Sequence, residues 1–151
     1  MNAEIIEQEI QEKRNLIVLC GKGSNEVAEN YKSNPYFFQY PEHGLDPSEV
    51  AKRIETIVEV SKTSSKPLII HTHNDHVING IMIQCYLRFK EFKKESPKQN
   101  VGICNEDVSI LFIDNGVITK VPITETGRIQ KPPVGFFRQF NIDMKRLLTG
   151  E

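Results

Sequence analysis

One short, wholly apolar run, Leu68-Ile69-Ile70, constrains the fold of this chain more than any other feature. It follows Pro67 and a turn-like Thr-Ser-Ser-Lys segment, and it ends at His71. A strand without polar residues is covered on both faces, and such strands are typical of parallel sheets in α/β proteins. The run therefore predicts an α/β layered fold with parallel strands at its centre and flanking helices.

Helical and extended patterns alternate around this run. Apolar periodicity and turn residues predict two further early strands, at residues 16–20 and 36–38, and three helices, around Ile5 and Ile10, at 46–62 and at 75–94. Asn115-Gly116 between two apolar runs predicts a β-hairpin over residues 108–123, and residues 136–148 predict a closing helix. Phe136, Phe137 and Phe140 are expected to anchor that helix in the core.

Composition limits the class of protein. The chain has 151 residues, 38% of them hydrophobic and 26% charged, with a net charge of −1. These values predict a single globular domain over residues 1–151, which we divide into an α/β half (1–100) and a hairpin-plus-helix tail (101–151). A near-neutral charge excludes a strongly basic protein that coats nucleic acid.

The cellular compartment is predicted from what the sequence lacks. No apolar run approaches the roughly 18 residues of a membrane helix, and residues 1–13 do not resemble a signal peptide. The three cysteines are far apart in sequence and form neither a disulfide framework nor a zinc pattern, so we expect them to be reduced. We therefore expect a soluble, cytoplasmic protein with no membrane partner.

Polar side chains follow two of the predicted strands, where ligands bind in open α/β sheets. The candidate site residues at these strand ends are Glu42, His43, His71, His73, Asp75 and His76. A purely structural role is the other interpretation for part of this set. Asn74 and Asp75 precede a helix and could serve only as its cap, and His76 could be an ordinary histidine.

A metal-dependent hydrolase is the alternative function. The string His71-x-His73-x-Asp75-His76 matches the metal-binding motif of metallo-β-lactamase-like hydrolases. Imidazole and carboxylate groups are suitable zinc ligands. However, those enzymes need further histidines downstream, and none of the four histidines of this chain follows His76. The metal hypothesis is therefore the second choice.

Three segments, taken in order, carry a family resemblance. Residues 37–47 are similar to a Walker B segment that reads E-N-P-E-x-x-L-H-P, and residues 68–76 to a switch-histidine segment that reads T-H-S-x-H. Residues 106–114, 127–129 and 135–140 are similar to a terminal hairpin and a closing G-F-F-x-x helix. In this register the chain resembles, over about residues 36–148, the C-terminal half of ABC/SMC-like AAA ATPases of the OLD-like type, with the small tail domain that follows it.

The resemblance implies nucleotide-binding positions at Gln39, Glu42 and His73. Glu42 takes the position of the acid that orients the attacking water, and His73 that of the switch histidine that senses the γ-phosphate. Such roles suit phosphoryl transfer, which depends on positioning and charge stabilisation. Gln39 takes the position of the Walker B magnesium carboxylate, where a neutral amide is a poor ligand.

No segment of the sequence matches the phosphate-binding pattern G-x-x-x-x-G-K-[ST]. Lys22 lies between Gly21 and Gly23 after a predicted strand, which indicates either a shortened remnant of such a loop or a polar turn. Without the loop, a triphosphate loses its main anchor. We therefore expect Glu42 and His73 to be inactive alone, no tightly bound cofactor, and Mg-ATP only in a complex with a partner.

The expected function is that of a stand-alone, degenerate ATPase-like module that acts by protein binding, as a regulator, inhibitor or split subunit of a larger ABC/SMC-like ATPase. Expected partners are a full-length ATPase, an associated nuclease or a second copy of the chain. Residues 116–151 carry six basic and three acidic side chains, so nucleic acid could bind this basic tail, or the tail could simply be a solvated face. A truncated remnant without activity is a third possibility.

Overall fold

The computed structural model of the chain describes residues 3–12 and 14–136. In this part of the chain, four helices and five strands alternate along the sequence, except that the last two strands are consecutive. They are α1 (Ala3–Gln11), β1 (Leu16–Cys20), α2 (Ser24–Glu29), β2 (Phe37–Gln39), α3 (Pro47–Thr63), β3 (Leu68–His71), α4 (Asp75–Phe92), β4 (Val108–Asp114) and β5 (Val117–Val121). A short 3-10 helix, Asn105–Asp107, precedes β4.

The five strands form one mixed sheet in the order β2-β3-β1-β4-β5. The first four strands are parallel, and β5 pairs antiparallel with β4 through the predicted Asn115-Gly116 turn. Central strand β1 is wholly buried between β3 and β4. The predicted α/β fold with parallel strands at its centre is therefore confirmed.

Two hydrophobic cores lie on opposite faces of the sheet. Leu16 and Val18 of β1 belong to the core that contains the buried faces of α3 and α4. Ile17 belongs to the second core, together with Ile6 of α1 and Val27 of α2. Because successive side chains of a strand point to opposite faces, one apolar strand supplies both cores.

The two long helices begin where their capping residues predict. The Asp46 carboxylate accepts a hydrogen bond from the Glu49 amide (3.0 Å), and Pro47 is the first residue of α3. The Asn74 side chain accepts one from the His76 amide (2.7 Å) at the start of α4. Each cap satisfies an amide that has no partner within the helix.

Two of the differences between the structure and the sequence prediction have a clear physical reason. Residues 21–34, predicted as a polar stretch, contain α2, whose six residues include only two buried apolar side chains, Val27 and Ala28. Two apolar positions are too few to reveal a helical period. The second hairpin strand ends at Val121 rather than Ile123, since Pro122 has no amide hydrogen for the ladder.

Only the first residue of the predicted closing helix lies within the described part of the chain. Phe136 is fully buried, and its ring lies 5.7 Å from that of Phe112, in edge-to-face geometry. This position confirms Phe136 as a core anchor. Phe137, Phe140 and the rest of the predicted helix lie outside the described residues.

All three cysteines are free thiols, as expected. Cys20 and Cys85 are buried, and burial raises the pKa of each thiol to about 12. Within residues 3–12 and 14–136, none of the helices combines the length and apolarity needed to cross a bilayer.

Candidate functional site

The chain connections point to the carboxyl ends of β1 and β3 as a ligand site. From β1 the chain passes through α2 to β2, at one edge of the sheet, whereas from β3 it passes through α4 to β4, on the other side of β1. Neighbouring strands whose connections leave in opposite directions form a crevice at their carboxyl ends. The sequence-predicted histidines follow β3 at this point.

Side chains from three strand ends meet in this crevice. After β1, the Ser24 hydroxyl lies 3.0 Å from Nε2 of His71, and Oδ1 of Asn25 lies 2.8 Å from Nε2 of His73. Tyr40, after β2, donates its hydroxyl to the same Asn25 oxygen (3.3 Å). Its ring lies 4.9 Å from that of His71. These five residues form one polar cluster.

His71 is neutral and buried within the cluster. Burial, with smaller contributions from His73 and Lys32, lowers its pKa to about 4. The Ser24 hydroxyl donates its proton to the Gly21 carbonyl (2.6 Å), so His71 donates Nε2–H to the Ser24 oxygen. Nδ1 of His71 is then a bare acceptor, buried without a partner among the described residues. Ser24 is consequently not arranged as a base-activated nucleophile.

Glu42 lies against the residue that precedes His73. The Thr72 hydroxyl donates a hydrogen bond to Oε1 of Glu42 and accepts one from the Asn74 amide (3.0 Å). Oε2 of Glu42 is buried, and no group in residues 3–12 and 14–136 forms a hydrogen bond with it. The structure thus brings the two segments that the sequence singled out to adjacent ends of β2 and β3.

A cleft of about 400 Å³ opens beside the cluster. Its size lies within the range of small-molecule sites. Its lining includes the exposed side chains of Lys22 and His73, together with a buried aromatic ring and one carboxylate. The lining residues are Gly21, Lys22, His73, Phe112, Asp114, Val134 and Gly135.

The turn after β1 is packed tightly against the end of β4. Gly21 has a positive φ of 99°, and a Cβ there would lie 2.4 Å from the Ile113 carbonyl oxygen. The Gly23 amide donates to that same oxygen (3.0 Å), and the Ser24 amide donates to the Gly21 carbonyl (3.1 Å). Two amides of this turn therefore have partners in the protein and are not free to bind phosphate.

The remaining candidates lie at the edge of the cluster or outside it. Gln39 is exposed at the end of β2, in register with His71. His43 is exposed, and Asp75 and His76 belong to the first turn of α4, which Asn74 caps. Over the described ranges, no group of three or more His, Cys, Asp or Glu residues is placed to hold a metal ion. The geometry therefore gives the metal hypothesis no support.

The sequence prediction missed Ser24, Asn25 and Tyr40 as members of the cluster. The available signal was the Gly-Lys-Gly-Ser turn directly after a buried strand, a usual position for ligand-binding loops in α/β proteins. Comparison with known proteins adds no further guide, since no family model, curated protein or solved structure matches this chain.

Proposed function

We propose that this chain is an ATPase-like module with a degenerate nucleotide site, and that it acts by binding another protein. One observation carries the proposal. The Thr72–Glu42 hydrogen bond holds the acid that the resemblance assigns to water orientation next to the segment of the assigned switch histidine, His73. The two residues lie beside the crevice where α/β proteins bind ligands.

We infer that the chain alone does not hold Mg-ATP. The amides of Gly23 and Ser24 are already bonded within the protein, so the turn after β1 cannot wrap a phosphate as a P-loop does. Gln39 offers a neutral amide where magnesium prefers anionic oxygens. We therefore derive no hydrolytic step for the chain itself.

Protein binding is the activity that the rim of the cleft favours. Lys22 and His73 are exposed there, and Val134 is 97% exposed. In the family that the chain resembles, ATP sites are completed between two lobes. A partner with an intact P-loop would meet this rim, and the module would then supply or block half of a shared site, as a regulator, inhibitor or split subunit.

Affinity capture with a matched pair of baits tests the partner. The wild-type chain and a Lys22→Glu/His73→Ala variant are each incubated with lysate of the source cells. The captured proteins are identified by mass spectrometry. We expect a P-loop ATPase on the wild-type bait only, because the variant alters the charge and hydrogen bonding of the rim.

The captured ATPase then provides the functional assay. The wild-type chain should change its turnover, and the rim variant should not. Two results would overturn the proposal: capture of the same proteins by both baits, or ATP hydrolysis by the purified chain that depends on Glu42 and His73.

A further inference from the structure

Helix α4 is apolar on two sides. One side packs into the core through Val77, Ile81 and Cys85, all buried. On the opposite side Ile83 is 52% exposed, Tyr86 47% and Leu87 38%. Exposed apolar side chains that adjoin one another on a surface often mark an interaction site. In the described part of the chain these three side chains are exposed, with the Lys90 ammonium 5.7 Å from the centre of the Tyr86 ring.

Exposed apolar residues are also concentrated on this helix. Three of them, at positions i, i+3 and i+4, lie on one line along the helix surface, which is the spacing of a helix–helix contact. Helix α3 is almost as long and packs beside α4, but Val60 is its only large apolar side chain exposed to this degree among the described residues. The stripe is thus specific to α4.

We propose that the stripe of α4 (Ile83, Tyr86, Leu87) binds the same stripe of a second copy of the chain, in antiparallel orientation. Charge complementarity selects this occupant. The first turn of α4 carries Asp75, and Lys90 and Lys93 lie at its last turn and cap. Antiparallel pairing places the acidic end of each helix beside the basic end of the other, whereas parallel pairing brings like charges together.

The helical period makes the contact self-complementary. With a two-fold axis at the level of Cys85, Ile83 of one copy faces Leu87 of the other, so the two stripes meet. At a rotation of 100° per residue, Asp75 and Lys93 lie on the same side of the stripe, so the two-fold axis brings them to the same flank of the contact. The stripe shares no residue with the cleft, so dimerisation through the stripe does not depend on the proposed function.

Sedimentation velocity from roughly 1 to 300 µM measures the association. A contact centred on three side chains of each copy buries little area and supports only a weak dimer, so high concentrations are needed. The wild-type chain should convert from monomer to dimer across this range. Ile83→Glu should weaken dimerisation at least about tenfold, since it places a charge at the centre of the contact. Val117→Glu is the matched control, because Val117 is 58% exposed on β5 and lies outside the stripe.

Charge reversal distinguishes the antiparallel contact from any other use of the stripe. Lys90→Glu/Lys93→Glu should weaken self-association, and so should Asp75→Lys, because each creates two repulsive contacts in a symmetric dimer. A mixture of the two variants should dimerise like the wild type, since every contact then joins opposite charges.

Circular dichroism of each variant verifies that it is folded, and Tyr86→Ala replaces Ile83→Glu if the latter unfolds. Three results would overturn the inference: a wild-type monomer at every concentration, full dimerisation of Ile83→Glu, or a mixture that stays monomeric. Binding of an oligonucleotide or of an acidic helical peptide to a monomeric wild type would assign the stripe to that partner instead.

Discussion

Two carboxylates at opposite ends of the sheet differ in the hydrogen-bond partners of their oxygens. Glu9 of α1 accepts hydrogen bonds from Lys120 (2.8 Å), Arg14 (3.1 Å) and Ser109, so both oxygens have partners. In the part of the chain that the structure describes, Glu42 has one partner, the Thr72 hydroxyl, and its other oxygen is buried without one.

The difference separates a cluster that holds the fold together from the candidate site. The bonds of Glu9 join α1 to β4 and β5, so they hold the fold together. Two acceptors without a partner within the described ranges, Oε2 of Glu42 and Nδ1 of His71, both lie at the crevice between strand ends. Buried polar atoms without partners are rare in folded proteins and tend to occur where a protein binds something.

The largest expected effect is on Glu9. We expect Glu9→Ala to lower the free energy of unfolding by about 3 kcal/mol, because it leaves the buried Ser109 hydroxyl and two cations without their shared acceptor. Urea unfolding measures the change. Glu12→Ala is the control, because Glu12 pairs with the same Arg14 at the surface, and it should cost less than about 0.5 kcal/mol. A loss below about 1 kcal/mol for Glu9→Ala would contradict the structural role.

The second effect is the pH dependence of stability. Since burial lowers the pKa of His71 from 6.5 to about 4, protons bind the unfolded chain more readily than the folded one. Stability is therefore full above pH 6.5 and falls as the pH drops from 6.5 to 4, by about 3 kcal/mol at pH 4.

His71→Gln should flatten this part of the stability curve, and the exposed His76→Gln should leave it unchanged. Glu9 affects the stability of the protein at lower pH than His71 does. Burial alone would raise its pKa, but hydrogen bonds from Lys120, Ser109 and Arg14 outweigh burial and hold the pKa below 4.5. Its stabilisation is lost as the pH falls through that lowered pKa. An unchanged slope in His71→Gln would show that His71 is not buried in its neutral form.

The smallest effect is expected at Glu42. Glu42→Gln keeps an oxygen that accepts from Thr72 and takes the acceptor from no other described donor, so stability should change by less than about 1 kcal/mol. Comparison of Glu42→Gln with Glu9→Gln in the same urea experiment measures the contrast directly. Equal losses in the two variants would remove the distinction between the clusters.

Much of the fold follows from local sequence. Asp46-Pro47 predicted the start of α3, and Asn115-Gly116 predicted the hairpin, because caps and turns depend on a few neighbouring residues. The run at 68–70 predicted a strand covered on both faces, and β3 is buried throughout. These features need no knowledge of distant contacts.

The membership of the site was harder to predict. The histidines contact Ser24, Asn25 and Tyr40 only because β3 lies between β1 and β2 in the sheet. Strand order is not encoded in any local sequence pattern. The unpaired oxygen of Glu42 also depends on packing. The histidine segment itself was found because it directly follows an apolar strand.

Thermal unfolding with and without Mg-ATP tests the central claim most directly. A ligand present at 100 times its dissociation constant stabilises a protein by about 2.7 kcal/mol, which would raise the Tm of a chain of this size by several degrees. At about 5 mM Mg-ATP, we expect the Tm of the purified chain to rise by less than about 1 °C. A rise of several degrees that disappears in His73→Ala would contradict the account, because it would show that the cleft binds nucleotide without a partner.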